Sequence, residues 1–143
     1  MFYFGKTSKS RLETCHDDLQ KICNQAIKYI NFSVLEGHRS LEKQQEYYRQ
    51  GKSKLDGIIL KSKHQANPSL AVDIAPYPID FAQEAKSKAR FYFLAGIMFA
   101  VAQELLAQKK INHKLRWGGD WNGNAEFHDQ SFDDLPHFEL VEV

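Results

Sequence analysis

The chain has 143 residues, enough for one domain with a hydrophobic core and too few for two of full size, so residues 1–143 should form a single domain. Hydrophobic residues make up 43% of the chain and aromatic residues 13%, a composition that excludes a largely disordered protein. Nineteen basic residues against eighteen acidic ones leave a net charge of +1, which excludes an overall electrostatic attraction to nucleic acid or anionic lipid.

Apolar residues recur at three- and four-residue steps over residues 12–30, which predicts a first helix capped by Ser8 or Ser10. The two cysteines, Cys15 and Cys23, would share one face of this helix, with their Cα atoms about 12 Å apart. A disulfide requires a Cα separation below about 7 Å. The sequence therefore predicts two buried, reduced thiols, which fit a reducing compartment.

The next segments alternate between strand and helix signals. Phe32–Leu35 is a short β-prone run, and Ser40 can cap a polar helix from Leu41 to about Gln50. Residues 52–68 are rich in Lys, Ser, Gly and Asn, which predicts a loop with one brief extended piece at Ile58–Leu60.

A strand is predicted at Leu70–Ala75, and Asp80 can cap a long helix that reaches about Lys109. Its segment Phe91–Ala102 is apolar on every face, so we expect the buried centre of the domain there. The apolar run is too short to span a bilayer.

Two further strands are predicted at Leu115–Trp117 and His137–Val143, with a Gly-, Asn- and Asp-rich excursion between them. The order of the elements along the chain is helix, strand, helix, strand, long helix, strands. This order predicts an α+β fold in which a small sheet packs against helices.

Three separate segments carry side chains that bind metals. They are Ser62-Lys63-His64, Ala71-Val72-Asp73-Ile74 and Asp134-Leu135-Pro136-His137-Phe138-Glu139. Two histidines and one carboxylate form a common catalytic zinc set that leaves a fourth position to water, whereas structural zinc usually has four ligands rich in cysteine. The two cysteines are too few for the structural kind, but the chain has six histidines, and residue types alone do not select among them.

The same segments resemble a known family. The pattern Ser-x-His, Ala-x-Asp and a distant acid-x-x-His appears in order in SKHQANPSLAVDIAPYP and DLPHFEL, with RWGGDWNGN between them. From about Leu35 to Leu140 the chain resembles the zinc D,D-peptidase-like family, which includes phage L-alanyl-D-glutamate endopeptidase endolysins and bacterial D-alanyl-D-alanine carboxypeptidases. The resemblance implies a small antiparallel sheet in the Hedgehog/D,D-peptidase-like fold.

The resemblance also implies roles for individual residues. His64, Asp73 and His137 would bind zinc, and Asp134 would be the catalytic acid and base. Asp133 is the rival base, and its simpler interpretation is a solvated loop acid. The glycine that the family usually has between the first histidine and Ala-x-Asp is absent, which affects the shape of that loop.

Five more residues have a functional and a simpler interpretation. Arg39 stands where the family places an arginine at the cleft, where it would bind a substrate carboxylate or the transition-state oxyanion; its simpler interpretation is a surface arginine at a helix start. Ser62 either bonds substrate or caps a turn. Trp121 is a candidate for the substrate cleft, whereas Trp117 is expected to be buried in the sheet. Glu139 is expected to support a metal ligand.

Two polar stretches leave alternatives open. Oxygen-bearing side chains alternate at Asp120, Asn122, Asn124 and Glu126. An EF-hand is excluded because Ala125 and Ser131 replace the required glycine and glutamate, so Ca²⁺ stays a secondary expectation. The basic side chains before His64 either are simply solvated or attract an anionic peptide; they are Lys52, Lys54, Lys61 and Lys63.

The leading hypothesis is a monomeric zinc peptidase that cuts peptidoglycan stem peptides, of the phage L-alanyl-D-glutamate endolysin type. The alternatives are a D-alanyl-D-alanine carboxypeptidase and a noncatalytic zinc-containing binding domain. Asp134 argues against the noncatalytic domain, because a structural site has no need of a base beside an open zinc ion.

The expected location follows from the targeting signals. The N-terminal residues lack the pattern of a secretory signal, and neither end shows a lipid-anchoring motif. We therefore expect the protein to stay in the host cytoplasm until the membrane is permeabilised and then to reach the cell wall. Neither nucleic acid nor membrane is an expected partner.

Overall fold

A four-stranded antiparallel sheet positions several of the candidate functional residues. The computed structural model describes residues 1–143, and its strands run in the order β1-β2-β4-β3. They are β1 (Phe32–Glu36), β2 (Ala71–Pro76), β3 (Lys114–Gly118) and β4 (Asp134–Val141). All four predicted strands are present, although β4 begins earlier than predicted, and the predicted α+β fold with a small antiparallel sheet is confirmed.

The sheet has two chemically different faces, because successive side chains of a strand point to opposite sides. Val72 and Phe138 pair across β2 and β4 and join the hydrophobic core on one side. Asp73 pairs with His137, and Glu139 lies two residues further along β4. These three residues therefore occupy the other face, outside the core.

Four helices and one 3₁₀ turn complete the fold. They are α1 (Lys6–Leu12), α2 (Asp17–Ala26), α3 (Leu41–Arg49), α4 (Ala85–Ala107) and the 3₁₀ turn Lys63–Gln65. Helices α2 and α4 pack together, and α4 also contacts β2, β3 and β4, which places the core between the two helices and the sheet. Helix α3 begins as predicted, with the Ser40 side chain accepting the N–H of Lys43.

The prediction of one continuous first helix is wrong, because the helix is interrupted between α1 and α2. Cys15 forms a parallel bridge with Ser69, and the N–H of His16 donates to the carbonyl of Ser69 at 2.8 Å. The His16 side chain then caps α2 by accepting the N–H of Asp18 at 2.9 Å. The apolar periodicity continues across the break because both helices face the same core.

The two cysteines are buried and unpaired, as predicted. Burial raises the pKa of the Cys15 thiol to about 12 and moves the pKa of Cys23 in the same direction. Both thiols are therefore protonated at neutral pH, and neither is a candidate metal ligand.

The start of α4 and the burial of its apolar segment differ from the prediction. Asp80 accepts the N–H of Ala82 and the hydroxyl of Ser87, but the helix begins only at Ala85. One face of the helix lies in the core, while Phe93 on the other face is 66% exposed. By length and composition alone α4 could cross a membrane, a property that core helices of globular domains share.

The extended piece predicted at Ile58–Leu60 is also wrong. The Asp56 Oδ1 accepts the N–H groups of Ile58, Ile59 and Leu60 in succession, which closes a turn. Side-chain competition for backbone donors is the usual reason that Asp disrupts a strand. The whole segment between α3 and the 3₁₀ turn is irregular.

Candidate metal centre

Three side chains from three elements meet at the polar face of the sheet. His64 belongs to the 3₁₀ turn, Asp73 to β2 and His137 to β4. The Oδ1 atom of Asp73 lies 3.2 Å from Nε2 of His64 and 3.2 Å from Nδ1 of His137. The structure thus brings together the three residues that the sequence analysis assigns as zinc ligands.

The second nitrogen of each histidine has its own partner. His64 Nδ1 lies 2.7 Å from the carbonyl oxygen of Gly37, and His137 Nε2 lies 2.8 Å from Oε1 of Glu139. Because both partners are acceptors, these nitrogens carry the protons when the rings are neutral. The lone pairs of His64 Nε2 and His137 Nδ1 are then directed towards Asp73.

The donor set fits a zinc ion. Zinc with ligand distances of about 2.0–2.1 Å in a tetrahedral arrangement holds its ligand atoms about 3.3 Å apart. The two contacts of Asp73 Oδ1 at 3.2 Å match this spacing. Two imidazoles and one carboxylate leave a fourth position for water, as catalytic zinc requires.

The electrostatics of the site favour a cation. Burial raises the pKa of Asp73, but hydrogen bonds from His137 and His64 outweigh it and hold the pKa well below its ordinary value. Burial lowers the pKa of His137, but hydrogen bonds to Asp73 and Glu139 outweigh it and raise the pKa to about 9. The metal-free site therefore holds a proton on His137 at neutral pH, and an incoming metal ion must displace it.

Of the two candidate bases, Asp134 has the environment of a proton-transfer group. It begins β4, is partly buried, and forms no side-chain hydrogen bond. Burial and the negative charge of Asp73 raise the pKa of Asp134, against the opposing effect of His137. Asp133 is exposed and accepts a hydrogen bond from Gln130 at 2.7 Å. The contrast agrees with the preference for Asp134 over Asp133.

Arg39 lies beside Asp73, but protein partners occupy much of its guanidinium group. Its Nη1 donates to Gln44 at 2.8 Å, and its Nε and Nη2 donate to Glu36. The Nη2 atom is 3.7 Å from Oδ2 of Asp73, and the group lies over the ring of Tyr47. Arg39 therefore places a positive charge beside the Asp73 carboxylate, and its predicted contact with substrate stays a prediction.

The other predicted site residues are placed as follows. Ser62 is buried and caps the 3₁₀ turn by accepting the N–H of His64 at 3.2 Å, the simpler of its two expected roles. Trp121 is partly buried, and its ring centroid lies 5.6 Å from that of His137, next to the site. Trp117 is buried and stacks on Phe138 in the core, as expected.

Sequence reasoning missed the residues that hold Glu139. Arg116 of β3 pairs with Glu139, and its Nε and Nη2 atoms donate to Oε2 at 3.1 Å and 2.5 Å. The Lys63 ammonium lies 3.5 Å from the same oxygen. Burial raises the pKa of Glu139, but hydrogen bonds from His137 and Arg116 lower it to about 2. The pairing register of β3 and β4 sets Arg116 opposite Glu139, but this register could not be predicted from the sequence.

The loop with alternating oxygen ligands is folded by its own hydrogen bonds. The Oδ2 atom of Asp120 accepts the N–H of Ala125 at 2.8 Å, and Asp129 accepts from the side chains of Asn122 and Asn124. The Oδ1 atom of Asp120 is buried without a hydrogen-bond partner. Calcium binding by this loop stays a prediction.

Comparisons with known proteins identify related peptidases. The model of a family described as phage L-alanyl-D-glutamate peptidase matches residues 1–141. The L-alanyl-D-glutamate peptidase of Escherichia phage T5 is 29% identical over 145 residues, which cover 98% of either chain. The structure is similar to the L-Ala D-Glu endopeptidase ChiX of Serratia marcescens, with a TM-score of 0.68 and 28% identity, over 97% of this chain and 90% of ChiX.

A more distant structure supports the fold alone. The LD-carboxypeptidase LdcB has a TM-score of 0.51 and 17% identity, over 88% of this chain and 56% of LdcB. Together with the likeness to ChiX, it confirms the D,D-peptidase-like fold that the sequence motifs imply.

Proposed function

The chain belongs to the phage L-alanyl-D-glutamate peptidase family, and from that premise we propose that it is a zinc-dependent peptidoglycan endopeptidase. Its substrate would be the stem peptide, cut between L-alanine and D-glutamate. The full-length similarity to the phage T5 peptidase and to ChiX supports this choice of bond.

One observation carries the proposal. Asp73 Oδ1 lies 3.2 Å from a nitrogen of each of two histidines, and a carboxylate without a hydrogen bond, that of Asp134, is partly buried nearby. Three ligands with an open position, together with a separate acid, are the groups that amide hydrolysis requires.

The zinc ligands and Asp134 have different roles in the proposed hydrolysis. Zinc bound by His64, Asp73 and His137 would lower the pKa of a water molecule and polarise the scissile carbonyl. The Asp134 carboxylate accepts the proton of the attacking water and returns it to the nitrogen of the leaving amine. Its raised pKa suits this role, since the same group must take up a proton and give it back.

The test is a digest of purified stem peptide analysed by mass spectrometry. We expect cleavage after L-alanine, and Asp134→Asn should lower the rate by about 100-fold or more with zinc content unchanged. Asp133→Asn is the matched control, because it changes the neighbouring, exposed carboxylate. If the two variants exchange these behaviours, the assignment of the base is wrong.

The same digest separates the alternative functions. Release of free D-alanine with the L-alanyl bond intact would identify a carboxypeptidase. A protein that holds zinc at the candidate centre and cleaves neither bond would be a noncatalytic binding domain. Either result contradicts the proposed activity.

We further propose that the enzyme acts in host lysis after another factor opens the membrane. Expression alone should leave the turbidity of a bacterial culture steady. Permeabilising the membrane should then cause rapid lysis, and a zinc chelator should suppress it. Prompt lysis without permeabilisation would contradict this order of events.

A further inference from the structure

A second group of metal-binding side chains lies outside the candidate zinc centre. His16, Asp18 and His113 each offer a ligand atom, and these atoms all lie within 4.8 Å of one another. We propose that this cluster binds a second divalent transition-metal ion of the zinc, nickel or copper class. Such ions accept a mixture of imidazole and carboxylate ligands.

The carboxylate of the cluster is buried, and only one of its two oxygens accepts hydrogen bonds. Asp18 is 3% exposed, and its Oδ2 accepts the N–H of Asn112 at 2.9 Å and faces Nδ1 of His113 at 2.7 Å. Both hydrogen bonds go to the same oxygen, which leaves Oδ1 available to a ligand. Burial raises the pKa of Asp18, but these hydrogen bonds outweigh it and keep the pKa below its ordinary value.

The two imidazoles complete the cluster from separate segments. His16 precedes α2, and His113 lies in the connection between α4 and β3. Their ring centroids are 5.0 Å apart, with the ring planes at 77°. Both rings are partly exposed, so water can fill the remaining coordination positions. An ion bound here joins the start of α2 to the α4–β3 connection.

Hydrogen bonds can also hold these three residues together without a metal ion. The experiment must therefore distinguish metal binding from hydrogen bonding alone. The His16 ring accepts the N–H of Asp18, and the His113 ring donates to the Asp18 carboxylate in the metal-free protein. Asparagine at either position preserves the hydrogen bond. At position 16 its Oδ1 can accept the N–H of Asp18 and cap α2, and at position 113 its Nδ2 can donate to the Asp18 carboxylate in place of Nδ1–H. The double variant His16→Asn/His113→Asn therefore removes two proposed metal ligands and keeps both hydrogen bonds.

The first measurement is metal stoichiometry, by titrating the metal-free protein with Zn²⁺. We expect two equivalents for the wild type and one for His16→Asn/His113→Asn, whose peptidase activity should be unchanged. His128→Asn, an exposed histidine elsewhere, is the control and should still bind two. The same number of equivalents in the wild type and in the double variant would overturn the proposal, whereas one in the wild type and none in the double variant would show that the candidate zinc centre is the site that fails.

The second measurement does not depend on the candidate zinc centre. In a His64→Ala/His137→Ala background, Ni²⁺ at about 100 times its dissociation constant should raise Tm by about 5 °C or more. Adding His16→Asn and His113→Asn should abolish the increase. A Tm that Ni²⁺ leaves unchanged in the first background, or raises equally in both, would contradict binding at this cluster.

Discussion

Replacing Glu139 with Gln should weaken zinc binding, although the substitution keeps the shape of the side chain. Two groups require an acceptor at this position. Oε1 accepts the Nε2–H of His137 at 2.8 Å, and Oε2 accepts two donors of Arg116. A glutamine has one acceptor oxygen, so it cannot satisfy both.

The size of the effect follows from this conflict. With its oxygen turned to Arg116, the amide presents N–H groups to His137 Nε2, which moves the ring proton to Nδ1, the nitrogen that faces Asp73. Loss of such an outer partner typically costs about 10- to 100-fold in metal affinity. We expect the upper part of that range, a loss of about 2–3 kcal/mol in zinc binding free energy.

The assay is competition for zinc against a chelator of known affinity, with a double-mutant cycle as the control. Arg116→Met removes the two donors that compete for the glutamine oxygen. The Lys63 ammonium, 3.5 Å from Oε2 in the wild type, donates to the carbonyl of Leu140, so the glutamine oxygen is free to face His137. Glu139→Gln/Arg116→Met should therefore bind zinc more tightly than Glu139→Gln alone. Unchanged zinc affinity in Glu139→Gln, or strictly additive effects in the cycle, would refute the reasoning.

The remaining predictions concern zinc retention, the backbone at Asp134 and pH. After dialysis, His64→Ala should retain less than about a tenth of an equivalent of zinc at the candidate centre, because two ligands hold the ion poorly. In Gly118→Ala the new Cβ would lie 2.1 Å from the carbonyl oxygen of Asp134, so unfolding in urea should show a loss of about 1–3 kcal/mol, together with reduced activity. Gly96→Ala, with nothing within 4 Å, is the control and should not destabilise the protein. In the metal-free protein, protonated His137 makes its full contribution to the free energy of unfolding below pH 6.5, and about 3 kcal/mol of it is lost as pH rises through 9. Urea titrations should show this fall, and His137→Asn should lack it.

Local signals were sufficient for elements whose ends are fixed by neighbouring residues. Ser40 caps α3 within its own turn, and the strands follow short β-prone runs. The first helix failed because Cys15 and His16 bond to Ser69, a partner far away in the chain. No periodicity can report such a contact, since the apolar residues on both sides of the break face one core.

The candidate site was predicted from the resemblance that its sequence motifs carry to a known family, and the structure adds the contacts that orient those residues. The carbonyl of Gly37 fixes the ring of His64, and Gln44 and Glu36 hold Arg39 beside Asp73. A backbone acceptor has no sequence signature, and the side-chain partners of Arg39 depend on where α3 and β1 place Gln44 and Glu36 in space. These contacts therefore appear only in three dimensions.

The hydrophobic core selects the register that assembles the candidate zinc centre. Strand β4 alternates between polar and apolar residues, and only one register against β2 sets Phe138 opposite Val72 on the core side. The same register sets His137 opposite Asp73. A slip of one residue would turn Phe138 out of the core and His137 into it. The free energy of burying the apolar face thus aligns two of the three proposed ligands before any metal binds, and the 3₁₀ turn has only to add His64.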